Sequence, residues 1–130
     1  MKIRGMGHIA VNSGNFQESL KFYRDILGLI EESRIDCGEF SITNLRMPDG
    51  GILELFDYGA RTGRAQSDNS AVGYRHFAFL AEDVDGWEKK LKENGVEISL
   101  APVEMPDLGI KGMLCRDPDG TEVELYEPLK

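Results

Sequence analysis

The stretch "PDGGILELFD", residues 48–57, returns in altered form as "PDGTEVELYE", residues 118–127. Each copy opens with a turn signature, in which proline presets one backbone dihedral and glycine supplies a left-handed one. Each then runs on as a strand in which residues two apart share a face. Leu53 and Leu55 face one way, and Ile52, Glu54 and Phe56 the other. Val123 and Leu125 face one way, and Glu122, Glu124 and Tyr126 the other. A glutamate therefore holds the same place in both copies, opposite an aliphatic pair.

The repetition extends outward from these strands. "GHIAVN" opens the first half with Ile9 and Val11 alternating against His8 and Ala10. "NFQESLKFYRDILG" follows, with Asn15 and Glu18 in capping-box spacing. Phe16, Leu20, Tyr23 and Leu27 make a helical stripe there, and Gly28 closes it. "LIEESRI", "EFSITNLRM" and "GILELFDY" supply three strands. The second half opens with "RHFAFLA", continues with the helix "DVDGWEKKLKENG" capped by Asp83 and ended by Gly95, and closes with "VEISLAP", "KGMLCRD" and "TEVELYE". Val84, Trp87 and Leu91 form the helix's apolar face. The spacing of His8 to His76 differs from that of Glu54 to Glu124 by only two residues, so a whole unit is duplicated. The expected fold is α+β, two tandem βαβββ modules over residues 1–57 and 74–130. The polar, glycine-containing stretch 58–73 is the expected linker.

With Ile9, Val11, Phe77 and Phe79 packed under the helices, His8 and His76 face the other side, the side of Glu54 and Glu124. These are the only two histidines in the 130-residue chain. Two imidazoles and two carboxylates suit a divalent transition metal with positions left for water or a chelating substrate. The plainer reading of the same four residues is sheet histidines and solvated glutamates.

Composition narrows the alternatives. A chain of this length buries a core without staples. A formal charge of −8 disfavours nucleic acid and anionic membranes as partners. No apolar run approaches the roughly 20 residues of a membrane span, and the N-terminal stretch "MKIRGMGHIAV" has no secretory h-region. Cys37 and Cys115 give neither a disulfide framework nor a CxxC pattern; the expectation is two reduced, buried or half-buried thiols in a cytoplasmic protein.

On "HIAVNSGNFQESLKFYRDILGL", "GILELFD", "RHFAFLAEDVDGWEKKLKENGV" and "RDPDGTEVELYEP", the chain resembles the glyoxalase/bleomycin-resistance/extradiol-dioxygenase group, the vicinal oxygen chelate superfamily. The resemblance spans essentially the whole sequence. It implies paired modules whose mixed sheets form a cup around a metal. It is nearest to metal-dependent glyoxalase I (lactoylglutathione lyase), whose ligand order His, Glu, His, Glu falls on His8, Glu54, His76 and Glu124. The implied reaction converts the hemithioacetal of a 2-oxoaldehyde, methylglyoxal plus a thiol, to a 2-hydroxyacyl thioester through an enediolate, with Glu124 as the base and Glu54 as the alternative. Nickel is the implied metal, with Co²⁺, Zn²⁺ and Mn²⁺ compatible with the same donors. Related epimerases carry Gln where this chain has Glu54, and fosfomycin-resistance proteins use three ligands. The alternatives are an epimerase or another metal-dependent enzyme of the superfamily on a different chelating substrate, and a non-catalytic antibiotic-binding protein. The expected partners are a small-molecule substrate and a second copy of the chain in a homodimer, either within or across which the four ligands meet. One departure stands out: the bacterial pattern often places an arginine for the glutathione carboxylate four residues after the first histidine, and this chain has Asn12. Arg61, Arg64, Arg75 and Lys111, the last in the expected loop "EMPDLGIKG", are the other candidate cations.

Overall fold

A computed structural model describes residues 1–66 and 69–130. The chain divides into two compact units, Met1–Gly63 and Arg64–Lys130. The stretch 58–73 straddles that division, and its residues 67 and 68 lie outside the described residues.

The first unit runs β1 (His8–Ser13), α1 (Phe16–Leu20) with a π-helical continuation (Lys21–Ile26), β2 (Ile30–Asp36), β3 (Ser41–Arg46) and β4 (Ile52–Asp57). The second runs β5 (Phe77–Leu80), α2 (Val84–Glu93), β6 (Ile98–Met105), a 3₁₀ turn (Pro106–Leu108), β7 (Ile110–Arg116) and β8 (Glu122–Pro128). The sheet orders are β1-β4-β3-β2 and β5-β8-β7-β6. In each, the first strand is parallel to the last and the remaining neighbours are antiparallel. This is the βαβββ topology twice. Val11, Leu45, Leu53 and Leu55 bury one face of the first sheet under its helix, and Phe77, Met113, Val123 and Leu125 do the same in the second.

The repeated turns match down to their hydrogen bonds. Gly50 N–H donates to Met47 O at 2.9 Å and Met47 N–H to Gly51 O at 2.8 Å. Gly120 N–H donates to Asp117 O at 3.0 Å and Asp117 N–H to Thr121 O at 2.9 Å. Gly50 and Gly120 have φ of 90° and 88°, left-handed values that a Cβ would penalise.

The first helix departs from the expected stripe. Asn15 Oδ1 caps it, accepting from Glu18 N–H at 3.3 Å. From Lys21 the helix widens, and Leu27 N–H reaches Phe22 O, five residues back, at 2.9 Å. The wider turn changes which positions face the sheet. Phe22 and Ile26 join Leu20 and Tyr23 in the core, while Phe16 and Leu27 stay half-buried. α2 follows its pattern more closely: Val84 and Leu91 are buried, Trp87 is half-buried, and Gly95 at φ 71° ends it. Its cap, Asp83, sits at φ 56° and accepts from Gly86 N–H at 3.0 Å. A Cβ at Gly86 would lie 2.2 Å from Asp83 Oδ2, so a side chain there would displace the capping carboxylate.

Two further expectations are corrected. Lys111 lies in β7, not in a loop, because β6 extends to Met105 and pairs Glu104 with Lys111. Cys37 is exposed beyond the end of β2, whereas Cys115 is buried in β7; both are free thiols. No helix among the described residues is long and apolar enough to cross a membrane.

Candidate metal centre

Parallel pairing of first and last strands sets each histidine beside its glutamate. In the first unit Ala10 lies opposite Glu54 and His8 opposite Ile52. The methyl of Ala10 leaves room for the imidazole of His8 to lean along the face, and Nε2 comes to 2.9 Å from Glu54 Oε1. In the second unit Ala78 lies opposite Glu124, and His76, just ahead of β5, places Nε2 2.7 Å from Glu124 Oε2. Gly112 keeps space for that carboxylate: a Cβ there would stand 3.2 Å from Glu124 Oε1. The two pairs are thus built alike from "HIA" and "HFA" against the two closing strands.

The structure brings His8 to Glu54 and His76 to Glu124. Among the described residues no three His, Cys, Asp or Glu side chains are grouped as a metal site. Each pair still fits a divalent ion. Donors about 2.1 Å from an ion and at right angles to each other are about 3 Å apart, close to both observed separations. Metal binding needs the ligating imidazole nitrogen and carboxylate oxygen free of a proton, so the affinity of such a pair falls with acid. The donors are also of the right kind, neutral nitrogen and anionic oxygen.

The pairs are unequal in their surroundings. The His8 side chain is 55% exposed and that of His76 only 22%. Behind His76 stands Glu122, a buried carboxylate that sequence reading placed on the right face but did not single out. Its alternation with Glu124 was the available signal. Asn44 was also missed. It lies directly opposite Glu54 in the β3–β4 register and donates through Nδ2 to Ser33 Oγ at 3.1 Å. The corresponding positions of the second unit are Leu114 and Leu100. The first sheet therefore carries a polar row, His8, Glu54, Asn44 and Ser33, where the second turns apolar after Glu124.

The candidate cations are mostly engaged. Asn12 is exposed and opposite Phe56, at the far end of the His8 face. Arg61 donates its backbone N–H to Gly14 O at 2.9 Å and lays its guanidinium 4.4 Å from the Tyr58 ring centre. Tyr58 itself stacks with Phe40 and Phe56. Arg64 pairs with Glu97 at 2.5 Å. Lys111 pairs with Asp85, whose hydrogen bond holds the ammonium above its usual range. Arg75 is exposed. A cleft of about 410 Å³, lined by residues including Arg34, Asp36, Phe40 and Asp57, lies at the β2–β3 turn and includes none of the four candidate ligands.

Known proteins share this architecture. The chain is 33% identical over 129 residues to the metallothiol transferase FosB of Staphylococcus haemolyticus, covering 95% of this chain and 84% of that one. It is 26% identical over 125 residues to a probable lactoylglutathione lyase of Synechocystis, covering 92% of each. A crystal structure of a glyoxalase family protein from Enterococcus faecalis superposes with a TM-score of 0.80 at 29% identity, over 98% of this chain and all of that one. The model of the Glyoxalase/Bleomycin resistance protein/Dioxygenase superfamily matches residues 5–125, and with the doubled βαβββ topology this places the chain in that superfamily.

Proposed function

We propose that His8, Glu54, His76 and Glu124 are the ligands of one divalent metal ion, and that the protein is a glyoxalase-I-like lyase acting on the hemithioacetal of a 2-oxoaldehyde. The observation that carries this reading is the equivalence of the two His–Glu pairs, at 2.9 Å and 2.7 Å. A bound ion supplies Lewis-acid stabilisation of the negative charge that develops on neighbouring substrate oxygens. Glu124 takes the proton from the carbon bearing sulfur and returns it to the adjacent carbon, giving a 2-hydroxyacyl thioester. Glu54, with the same geometry in the first unit, is the alternative base. The ligands are drawn either from one chain or from two copies of it in a homodimer. Asn12 in place of arginine points to a thiol other than glutathione, or to a different cation for its carboxylate.

A second reading, metal-dependent thiol transfer, is favoured by the 33% identity to FosB. Glu54 speaks against it, because the resemblance implies only three ligands for that branch and Glu54 is a fourth paired donor.

The deciding experiment loads metal-free protein with Ni²⁺, Co²⁺, Zn²⁺ or Mn²⁺ and follows thioester formation from methylglyoxal with a panel of thiols, and thiol addition to fosfomycin in parallel. Nickel-dependent isomerisation is the expected result. Activation by Zn²⁺ alone removes the nickel assignment, and thiol addition without isomerisation selects the second reading. Glu124→Gln should keep metal and lose roughly 10²- to 10⁴-fold in turnover. An undiminished rate would take the proton shuttle away from Glu124.

A further inference from the structure

We propose that Arg61 and the rings beneath it form a carboxylate subsite on the first unit, fitted to a substrate with an apolar, planar body and one distal carboxylate. That the ligand is the substrate's own far end rests on the reading above; the subsite itself does not.

The face of the first sheet that carries His8 and Glu54 changes character along its strands. Glu54, Asn44 and Ser33 stand side by side across β4, β3 and β2. Two residues on, Phe56, Ile42 and Ile35 make the next row, with Ile35 49% exposed. Beyond that row, Phe40 stacks on Tyr58 with ring centres 4.8 Å apart and planes 20° from parallel, and on Phe56 at 5.7 Å and 14°. The guanidinium of Arg61 lies 4.4 Å from the Tyr58 ring centre. Its backbone N–H, donating to Gly14 O at 2.9 Å, ties it to the end of β1. At about 3.3 Å per residue, Tyr58 stands about 13 Å along the chain from Glu54. The face thus offers, in order, a polar row, an apolar lane and a cation on an aromatic floor.

Arg61 differs from the other anchored arginines in what it leaves open. Arg24, Arg34, Arg46, Arg64 and Arg116 each pair with a carboxylate. Arg61 pairs with none among the described residues, yet a ring holds it in place. A guanidinium packed by its face keeps its N–H donors at the edge, where a carboxylate is taken through two parallel hydrogen bonds. Because the stacking already orders the side chain, less freedom is lost on binding. One cation in a chain of charge −8 matches a monoanion better than a phosphate of two charges. The lane before it carries only hydrocarbon side chains, Phe56, Ile42 and Ile35. Such a lane leaves peptide amides without side-chain partners and favours a flat apolar body. The subsite therefore suits an arenecarboxylate end and disfavours a peptidyl thiol.

The probe is 2-naphthoate, with neutral 2-naphthamide as its isostere, titrated into ¹⁵N-labelled, metal-free protein and followed by amide shifts. Arg61→Gln should weaken naphthoate about 10-fold and leave naphthamide unchanged. Arg75→Gln, which removes the same charge from another exposed position, should change neither. In metal-loaded protein turning over a hemithioacetal, naphthoate should inhibit competitively, and Arg61→Gln should raise its inhibition constant by the same factor. The proposal is overturned by a parent that does not bind naphthoate, by equal affinity in Arg61→Gln, or by an equal loss in Arg75→Gln. Inorganic phosphate binding more tightly than naphthoate, or inhibition that excess substrate does not relieve, overturns it too. Arg61-dependent naphthoate binding in a protein that turns over no hemithioacetal overturns the lyase reading and leaves the subsite supported.

Discussion

Gly112 illustrates how one missing Cβ shapes a site. A methyl at this position would meet Glu124 Oε1 at 3.2 Å and Met105 Cε at 3.0 Å. Both are side-chain ends in contacts too tight to keep, so each neighbour, the carboxylate included, must shift slightly. Gly112→Ala is expected to keep the fold and weaken metal binding roughly 10-fold, as changes around a ligand typically do; chelator competition with circular dichroism as the fold control checks this. The two thiols give a second contrast. Burial, followed by the nearby Asp117 and Glu122, pushes the Cys115 thiol from 9.0 up to about 12, while Cys37 is exposed. At pH 8 a thiol reagent should therefore label one cysteine per native chain and two after denaturation. The folded state holds the Cys115 proton more tightly than the unfolded chain does. Its contribution to stability is complete below about pH 9 and declines as pH rises toward 12. Cys115→Ala should flatten that part of the alkaline stability profile. Sequence alone located His8, Glu54, His76 and Glu124 on common faces, because strand alternation is local. It did not single out Glu122 or Asn44, whose significance lies in partners reached across strands, Arg116 for one and Ser33 for the other.

At the level of elements, the turns and closing strands were the most legible parts, since proline, glycine and alternation act over a few residues. Gly50→Ala should cost about 1 kcal/mol in chemical denaturation, because φ near 90° penalises a side chain. The α2 cap is equally local: Asp83→Ala should cost about 1 kcal/mol through loss of the bond to Gly86 N–H. The π-helical continuation of α1 was not legible. Phe16, Leu20, Tyr23 and Leu27 satisfy an α-helical stripe as written, and only packing against the sheet selects Phe22 and Ile26 instead. β6 was likewise read too short. Its pairing to β7 passes through register shifts between Ile98 and Leu100 and between Leu100 and Val103, which disturb the alternation that sequence reading relies on.

For the molecule as a whole, membership of the superfamily brings a coarse expectation: its members generally use divalent metals, act on small molecules and commonly form dimers. Metal stoichiometry alongside solution mass tests the dimer here. One ion per chain in a dimer is the expected outcome, and full occupancy in a monomer would refute ligand sharing between chains. The parallel closure of each sheet carries a separate implication for the order of assembly. β2, β3 and β4 are joined by short antiparallel turns, as are β6, β7 and β8. β1 and β5 find their partners only after most of a module has been traversed, so loop-closure entropy delays them. The histidines ride at the start of those late strands and the glutamates sit in the early hairpins. Each His–Glu contact is then made at the last zipping step of its module, and the ion proposed for these residues would meet a complete pair only after that step.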